Sequence, residues 1–309
     1  MNSLLPLISI IIPAYNVAGS IKRTVESLFR STYSNIEIVI INDGSVDETR
    51  NICEMMAIED ERIVLYNTTN NGVSIARNIG IRKSKGEFIA FIDADDECEP
   101  KYIESLYKAI TKDNSDISIC GYWSVLRDGR RIGSYKDKKN YFTLKRNEAE
   151  RKLIRNEIGF HPWGKLYKKH IISDILFPIG KTYEDVYRFP DILDKCSKVA
   201  VINDRLVYYY QNEKSIIHIQ NPINEYCAFD AGLLVYKKYI NRHPDLEEYL
   251  INMPTEVAIR LRIMSFKDKE IKQYINIKRI RAFLKWVKHK KIAYNRLDWR
   301  YKLALRLII

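Results

Sequence analysis

The amino-acid sequence predicts an α/β protein: a mostly parallel central sheet flanked by helices, with a helical basic extension at the carboxyl end. Two patterns and one imbalance lead there. Through the first hundred residues, apolar β-branched runs alternate with stretches of helical periodicity, the mark of βαβ units whose strands are covered on both faces. Beyond about residue 115 the alternation gives way to hairpin-like strands, and from residue 222 onward only helical segments follow. The imbalance is electrostatic: residues 260–309 hold 16 Lys and Arg against 3 Asp and Glu, whereas residues 1–259 hold 35 against 36.

Each element has its own signal. Leu7–Ile12 is an apolar run and reads as a buried first strand, and Ile21, Val25, Leu28 and Phe29 then fall on one face of a helix. Ile36–Ile41 is a second strand, and Ser45-Val46-Asp47-Glu48 reads as a capping box that opens a second helix. Arg62–Tyr66 is a third strand, residues 73–84 a third helix and Glu87–Ile92 a fourth strand; Pro100 suits the first turn of the next helix. Further on, Asp116–Val125 and Arg131–Tyr135 read as strands around the turn Asp128-Gly129. Residues 146–158 and 184–196 read as helices, and Lys198–Ile202 and Arg205–Tyr210 as paired strands. The expected plan is one unit over residues 1–220, with halves at 1–115 and 116–220, followed by a helical region over 221–309.

Composition narrows the class. With 46% hydrophobic and 29% charged residues in a chain of 309, the sequence is neither disordered nor collagen-like. Five Cys, odd in number, widely spaced and without a Cys-x-x-Cys, point to reduced thiols in the cytoplasm rather than to zinc or disulfides. The apolar opening at Leu4–Ile12 lacks the basic flank and cleavage site of a signal peptide, and Pro13 ends it too soon to span a bilayer. A tail this basic meets an anionic partner or stays in solvent. Nucleic acid is disfavoured, because the body has no basic stripe.

In an open α/β sheet, ligands bind outside the carboxyl ends of the strands. Three such ends carry chemistry: Pro13-Ala14-Tyr15-Asn16, Asn42-Asp43-Gly44-Ser45 and Asp93-Ala94-Asp95-Asp96. Asp43 in Asp-Gly-Ser also fits an ordinary turn. Three acids in four positions are costly without a cation, and hard oxygens at this spacing suit Mg²⁺ or Mn²⁺ completed by a substrate phosphate. Capping the following helix would need only one of them.

These motifs, in order, carry a resemblance. Together with Asn71-Gly72-Val73-Ser74-Ile75-Ala76-Arg77-Asn78-Ile79-Gly80, they make residues 8–110 similar to the catalytic domain of family 2 glycosyltransferases, the inverting enzymes of the GT-A fold. Trp163-Gly164-Lys165-Leu166-Tyr167 and Tyr183-Glu184-Asp185 also look like family motifs, and the likeness fades beyond residue 220. The resemblance implies a donor site in which Pro13, Tyr15 and Asp43 hold the nucleotide base, Asp93 meets the ribose and Asp95 binds Mn²⁺ or Mg²⁺ on the diphosphate. It places Arg77 near the nucleotide, pairing with phosphate or fixing a carboxylate; as bare sequence Arg77 equally fits a helix surface. It makes Asp185 the general base, with Glu184 positioning a neighbour or the acceptor. Trp163 either stacks on a sugar or acceptor or simply packs. His218 matches a late position that completes metal coordination in some members.

The implied partners are a UDP-sugar and a glycan acceptor, lipid-linked, in cell-surface polysaccharide synthesis. A nucleotidyltransferase is the alternative, since it can share the sheet and the acidic site. It would begin with a Gly-rich, Arg- or Lys-bearing phosphate loop, where this chain has Pro13-Ala14-Tyr15-Asn16. A glycosidase would leave Asp43 and Arg77 without a role. In the tail, Ile277, Ile280, Phe283, Leu284 and Val287 form one helical stripe, flanked by Lys278, Arg279, Arg281, Lys285 and Lys288 with Trp286 near its edge. Trp299, Leu303 and Leu307 offer a second anchor. This pattern suits a helix lying on an anionic membrane, on the inner face of the cell membrane, or one packed on the catalytic unit.

Overall fold

The structure, a computed structural model, describes residues 5–134, 139–211, 221–268, 270–290 and 301–303. The first half runs β1 (Ile8–Ala14), α1 (Ile21–Phe29), β2 (Ile36–Asp43), α2 (Thr49–Glu59), β3 (Ile63–Thr68), α3 (Val73–Lys83), β4 (Phe88–Phe91), β5 (Glu97–Cys98) and α4 (Tyr102–Lys112). The second half runs β6 (Ile117–Val125), β7 (Arg131–Gly133), β8 (Tyr141–Lys145), α5 (Arg146–Ile154), β9 (Lys165–Lys168), α6 (Lys169–Ile172), α7 (Glu184–Lys195) and β10 (Lys198–Tyr210). Helices α8 (Pro222–Tyr239), α9 (Glu247–Lys267) and α10 (Ile277–His289) follow, with short 3-10 turns between them.

One sheet carries all ten strands along the path β3-β2-β1-β4-β9-β6-β10-β5, with β7 on β6 and β8 on β10. The pairs among β3, β2, β1 and β4 are parallel, as the βαβ rhythm requires. Strand β9 enters antiparallel to both β4 and β6, so the sheet is mixed beyond β4. Strict alternation divides the core. Ile11, Val39, Ile41 and Phe91 face α3, α5, α7 and α8, whereas Ile8, Ile10, Ile12, Ile38 and Ile40 face α1, α2 and α4. Helix α3 crosses β1 so closely that a Cβ on Gly80 would stand 2.3 Å from Ile11 Cγ2. That contact brings the amino end of α3 to the strand ends where the acids lie.

Three expectations need correction. The second helix starts at Thr49, not at Ser45. Ser45 Oγ instead accepts from Asn16 N–H, and the Asp47 carboxylate accepts from the backbone N–H groups of Ala18 and Thr49. The loops after β1 and β2 are thereby tied to each other. Residues 198–210 form one strand rather than a pair, because both segments lie parallel to β6 and a register shift around Arg205 absorbs the irregularity. The tail stripe is not free for a membrane: Ile280, Leu284 and Val287 are fully buried, the first two against Phe229, Val257, Ile259 and Leu261, and Val287 against Ile251.

What α10 leaves exposed is mostly charge, with Trp286 36% exposed at the edge of the stripe. Lys278, Arg281, Lys285 and Lys288 face solvent, and Arg279 pairs with Asp230 at 2.5 Å. Leu303 is half-exposed, while Trp299 and Leu307 lie outside the described residues. The expected boundary at 220 adjoins residues 212–220, also outside them. Helix α8 nevertheless joins the main core through Ala231, Val235 and Tyr239. A buried Glu150 adds polar ties, accepting from Arg242 at 2.8 Å and lying 2.7 Å from His243 Nε2. Among the described residues, no helix is long and apolar enough to cross a membrane.

Candidate active site

The carboxyl ends of β1, β2 and β4 open into a cleft of about 840 Å³, lined among others by Tyr15, Asp43, Arg77, Asp95, Trp163 and Asp185. Its geometry explains why each side chain is there. Pro13 and Ala14 end β1, and the next residue, Tyr15, is left 45% exposed at the rim. Asp43 ends β2 and is almost wholly buried. Its two carboxylate oxygens accept from Asn71 N–H at 2.9 Å and from Gly72 N–H at 2.7 Å, fixing the turn that opens α3. Gly44 follows with φ +69°, where a Cβ would meet Asn70 N at 2.5 Å, so only glycine lets the two loops approach. Asp-Gly-Ser is therefore a turn, but one braced against a loop 28 residues away rather than against its own helix.

The acidic turn after β4 is held by its backbone. Thr24 Oγ1 donates to the carbonyls of Ala94 (2.9 Å) and Asp96 (2.7 Å), and Arg23 donates to the Asp95 carbonyl at 2.7 Å. These contacts fix the chain without using the carboxylates. Asp96 turns inward: one oxygen accepts from Tyr210 N–H at 3.0 Å, and the other is buried without a partner. Burial, with the charge of Asp93, pushes the Asp95 carboxyl up to about 6; burial, Asp93 and Asp95 push Asp96 up as well. This is an acid cluster short of positive charge. Among the described residues, no three His, Cys, Asp or Glu groups converge as a ready-made metal cage. One or two carboxylate oxygens with phosphate oxygens completing the shell is the ordinary arrangement for Mg²⁺, and the hard carboxylates of Asp93 and Asp95 on the cleft wall fit that chemistry. His218, the other expected ligand, lies outside the described residues.

Arg77 is neither a surface charge nor a free phosphate ligand. It is buried, and its two terminal nitrogens are engaged by Asp93 at 3.0 Å and by Glu184. The guanidinium thus joins the acidic turn after β4 to the amino end of α7. Glu184, expected to place the acceptor or a neighbour, places Arg77. Beside it, Asp185 lines the cleft and its carboxyl is pushed up to about 6, by burial first and then by Glu184, against the pull of Arg77 and Lys165. Tyr183 precedes the pair with φ +60°, unusual for a bulky residue. Its ring packs against both the main core and the α8–α10 cluster.

Trp163 is 7% exposed, its ring centroid 3.7 Å from that of His161 and 5.6 Å from that of Tyr209, both near parallel. It forms part of a packed wall whose edge reaches the cleft. Two residues carry weight here that the sequence reading did not assign. Lys165 is wholly buried and donates to the His161 carbonyl. Burial pushes its ammonium down to about 7, with Asp185 pulling the other way. His161 is held well below its usual range by burial and by Lys165, so the ring is neutral. The sequence carries little signal for Lys165, since it opens the four-residue strand Lys-Leu-Tyr-Lys, where a lysine at either end reads as solvent-facing.

Known proteins are similar to this chain in sequence and fold. A family model described as Glycosyl transferase family 2 matches residues 9–176. The chain is 33% identical over 236 residues to glycosyltransferase GlyA of Streptococcus pneumoniae, covering 72% of this chain but only 33% of GlyA. It is 29% identical over 276 residues to the putative glycosyltransferase EpsH of Bacillus subtilis, covering 85% of this chain and 77% of that one. The crystal structure of S. aureus TarS 1-349 in complex with UDP-GlcNAc superposes with a TM-score of 0.70 over 97% of this chain and 90% of that one, at 18% identity. The fold is the GT-A fold, and with more than half of its length matched by the family model, the chain belongs to glycosyltransferase family 2.

Proposed function

We propose that the chain is an inverting transferase that moves a sugar from a UDP-sugar to a hydroxyl of a glycan acceptor, with Asp185 as general base. The observation that carries this is the placement of Asp185. It is a cleft carboxyl raised toward neutrality, beside an arginine already engaged by Asp93 and Glu184. A base with a midpoint near the working pH is both deprotonated and able to take a proton. The Asp185 carboxylate receives the acceptor hydroxyl proton as the acceptor oxygen bonds to the anomeric carbon. The bond from that carbon to the diphosphate breaks, and the electron pair leaves with UDP from the opposite face.

The donor roles divide along the cleft. Tyr15 and Pro13 flank the base, and each Asp43 oxygen keeps a lone pair beyond its backbone bond with which to accept from uracil N–H. Asp93, held by Arg77, faces the ribose. Asp95 would hold Mg²⁺ or Mn²⁺, which supplies positive charge at the departing diphosphate. Arg77 is a positioning residue here rather than a phosphate ligand. The edge of Trp163 forms a wall for the sugar or acceptor. A uridine nucleotide is supported by the UDP-GlcNAc in the complex with TarS. The surface-polysaccharide setting and the lipid-linked acceptor rest on the family resemblance. On this reading residues 1–220 carry the transfer machinery and 221–309 support it. The cationic face of α10 approaches the anionic inner face of the membrane electrostatically, without inserting its buried stripe. No observation favours the nucleotidyltransferase alternative.

The test combines ligand protection with product analysis. UDP with Mn²⁺ is expected to raise the thermal unfolding midpoint more than GDP does, by mass action. Asp185→Asn should keep that protection while transfer falls about 10²–10⁴-fold. Equal protection by the two nucleotides would overturn the uridine assignment. A product of retained configuration, or unimpaired transfer by Asp185→Asn, would overturn the base.

A further inference from the structure

Lys165 belongs to β9, paired with β6 at Ile119, and its side chain points into the interior beneath the cleft. An ammonium taken out of water costs several kcal/mol even after relaxation. The local return is modest. The ammonium has the His161 carbonyl, lies 3.4 Å from His161 Nδ1 and 4.8 Å from the centre of the Phe189 ring, and faces the Cys120 thiol of β6, which burial keeps neutral. A Leu or Met would fill the same slot without the penalty. Phe189 is one helical turn beyond Asp185 on α7, so the ammonium sits under the helix face that presents Asp185.

We propose that Lys165 is the positioning residue for Asp185, holding the base ionised from below while fixing the His161–Trp163 wall from the same atom. This rests on Asp185 being the base. The charged and titratable groups around Asp185 are few. Glu184 on its own helix opposes its ionisation. Arg77 from α3 favours it, but is shared with Asp93 and Glu184. Lys165 from β9 also favours it, and its own hydrogen bond goes to a carbonyl rather than a carboxylate. Tyr167 and Tyr183 complete the surroundings and remain neutral, their hydroxyls raised chiefly by burial. The Val186 N–H adds a bond of 2.8 Å to one Asp185 oxygen. Removing the Lys165 charge therefore leaves Glu184 less opposed. Asp185 should then hold its proton to higher pH, and the acid side of the rate profile should move upward.

The experiment measures transfer against pH for the wild-type chain and Lys165→Met, alongside protection by UDP. The acid-side midpoint is expected to rise by at least half a pH unit in Lys165→Met, with UDP protection unchanged. The reciprocal measurement follows the Lys165 ε-carbon by NMR in ¹³C-lysine-labelled full-length protein. Asp185→Asn should lower the Lys165 titration midpoint by a matching amount, because the coupling between two groups is mutual. An unshifted rate profile in Lys165→Met, or an unshifted Lys165 midpoint in Asp185→Asn, overturns the proposal. If Lys165→Met does not fold, the lysine titration decides alone. Failure of the base assignment is read separately: Asp185→Asn would then transfer at the wild-type rate whatever the lysine does.

Discussion

The two acidic segments that face the cleft are built in opposite ways. Asp93, Asp95 and Asp96 come from one strand end, and their turn is secured through its carbonyls by Thr24 and Arg23. Their carboxylates share one buried cation, Arg77, which reaches only Asp93. Glu184 and Asp185 open a helix and are met by cations from two distant elements, Arg77 on α3 and Lys165 on β9. The first segment is left electrically incomplete and suits a ligand that brings its own charge. The second draws on cations supplied by the fold, against which burial and Glu184 still hold the Asp185 carboxyl up to about 6. The two acidic segments thus differ less in their acids than in who supplies the cations.

Three experiments would sharpen or break that contrast. Asp95→Ala should have the largest effect: transfer falls by about 10²–10³-fold, as when one group that stabilises developing charge is removed. Mn²⁺-dependent protection by UDP should vanish with it. Full turnover by this variant in excess chelator would mean that the first segment is not waiting for a cation. Arg77→Met should act on both segments at once. It leaves Asp93 and Glu184 facing each other with no cation between them, at a cost of about 3 kcal/mol in denaturant unfolding. An unchanged midpoint would show the bridge to be dispensable.

The smallest effect concerns stability against pH. Asp95 and Asp185 are raised from the usual 3.8 to about 6, so the folded state binds more protons than the unfolded one between those values. Stability from these two groups is highest below pH 4 and declines as pH rises through 6. Asp95→Asn and Asp185→Asn should each raise the unfolding temperature by a few degrees at pH 8, and the gain should disappear below pH 4. A loss of stability at pH 8 would show that the carboxylates hold the cleft together rather than strain it.

The sequence made legible what is local. The parallel strands and the acidic turn announce themselves in short stretches, because a buried strand and the polar turn at its end share a few consecutive residues; Asp185, as bare sequence, reads only as an acidic helix start, and its role is what the family resemblance implies. Other features depend on distant partners. Ser45-Val46-Asp47-Glu48 has the form of a capping box, but Asn16 and Ala18 from the loop after β1 claim Ser45 and Asp47. Arg77 fitted a phosphate, a carboxylate or solvent until Asp93 and Glu184 stood on either side of it. Lys165 was one residue in a motif, and its meaning depends on a helix that starts 19 residues later. The stripe on α10 was read correctly as amphipathic. Periodicity cannot say what covers such a face, and here α8 and α9 do.

Tyr183 adds a consequence for anyone who would splice this protein. Its left-handed backbone sets the phase at which α7 begins, and its ring is wedged between the main core and the terminal helices. The terminal helices are therefore not a detachable module hung behind a finished enzyme. Exchanging them for those of a relative would replace the surface on which the residue before Glu184 and Asp185 rests. A chimera that keeps every cleft residue would then present Glu184 and Asp185 from a shifted helix start. The seam for such an exchange belongs after the partners of Tyr183 in α8 and α9, rather than at the point where the sequence changes from mixed strands to helices.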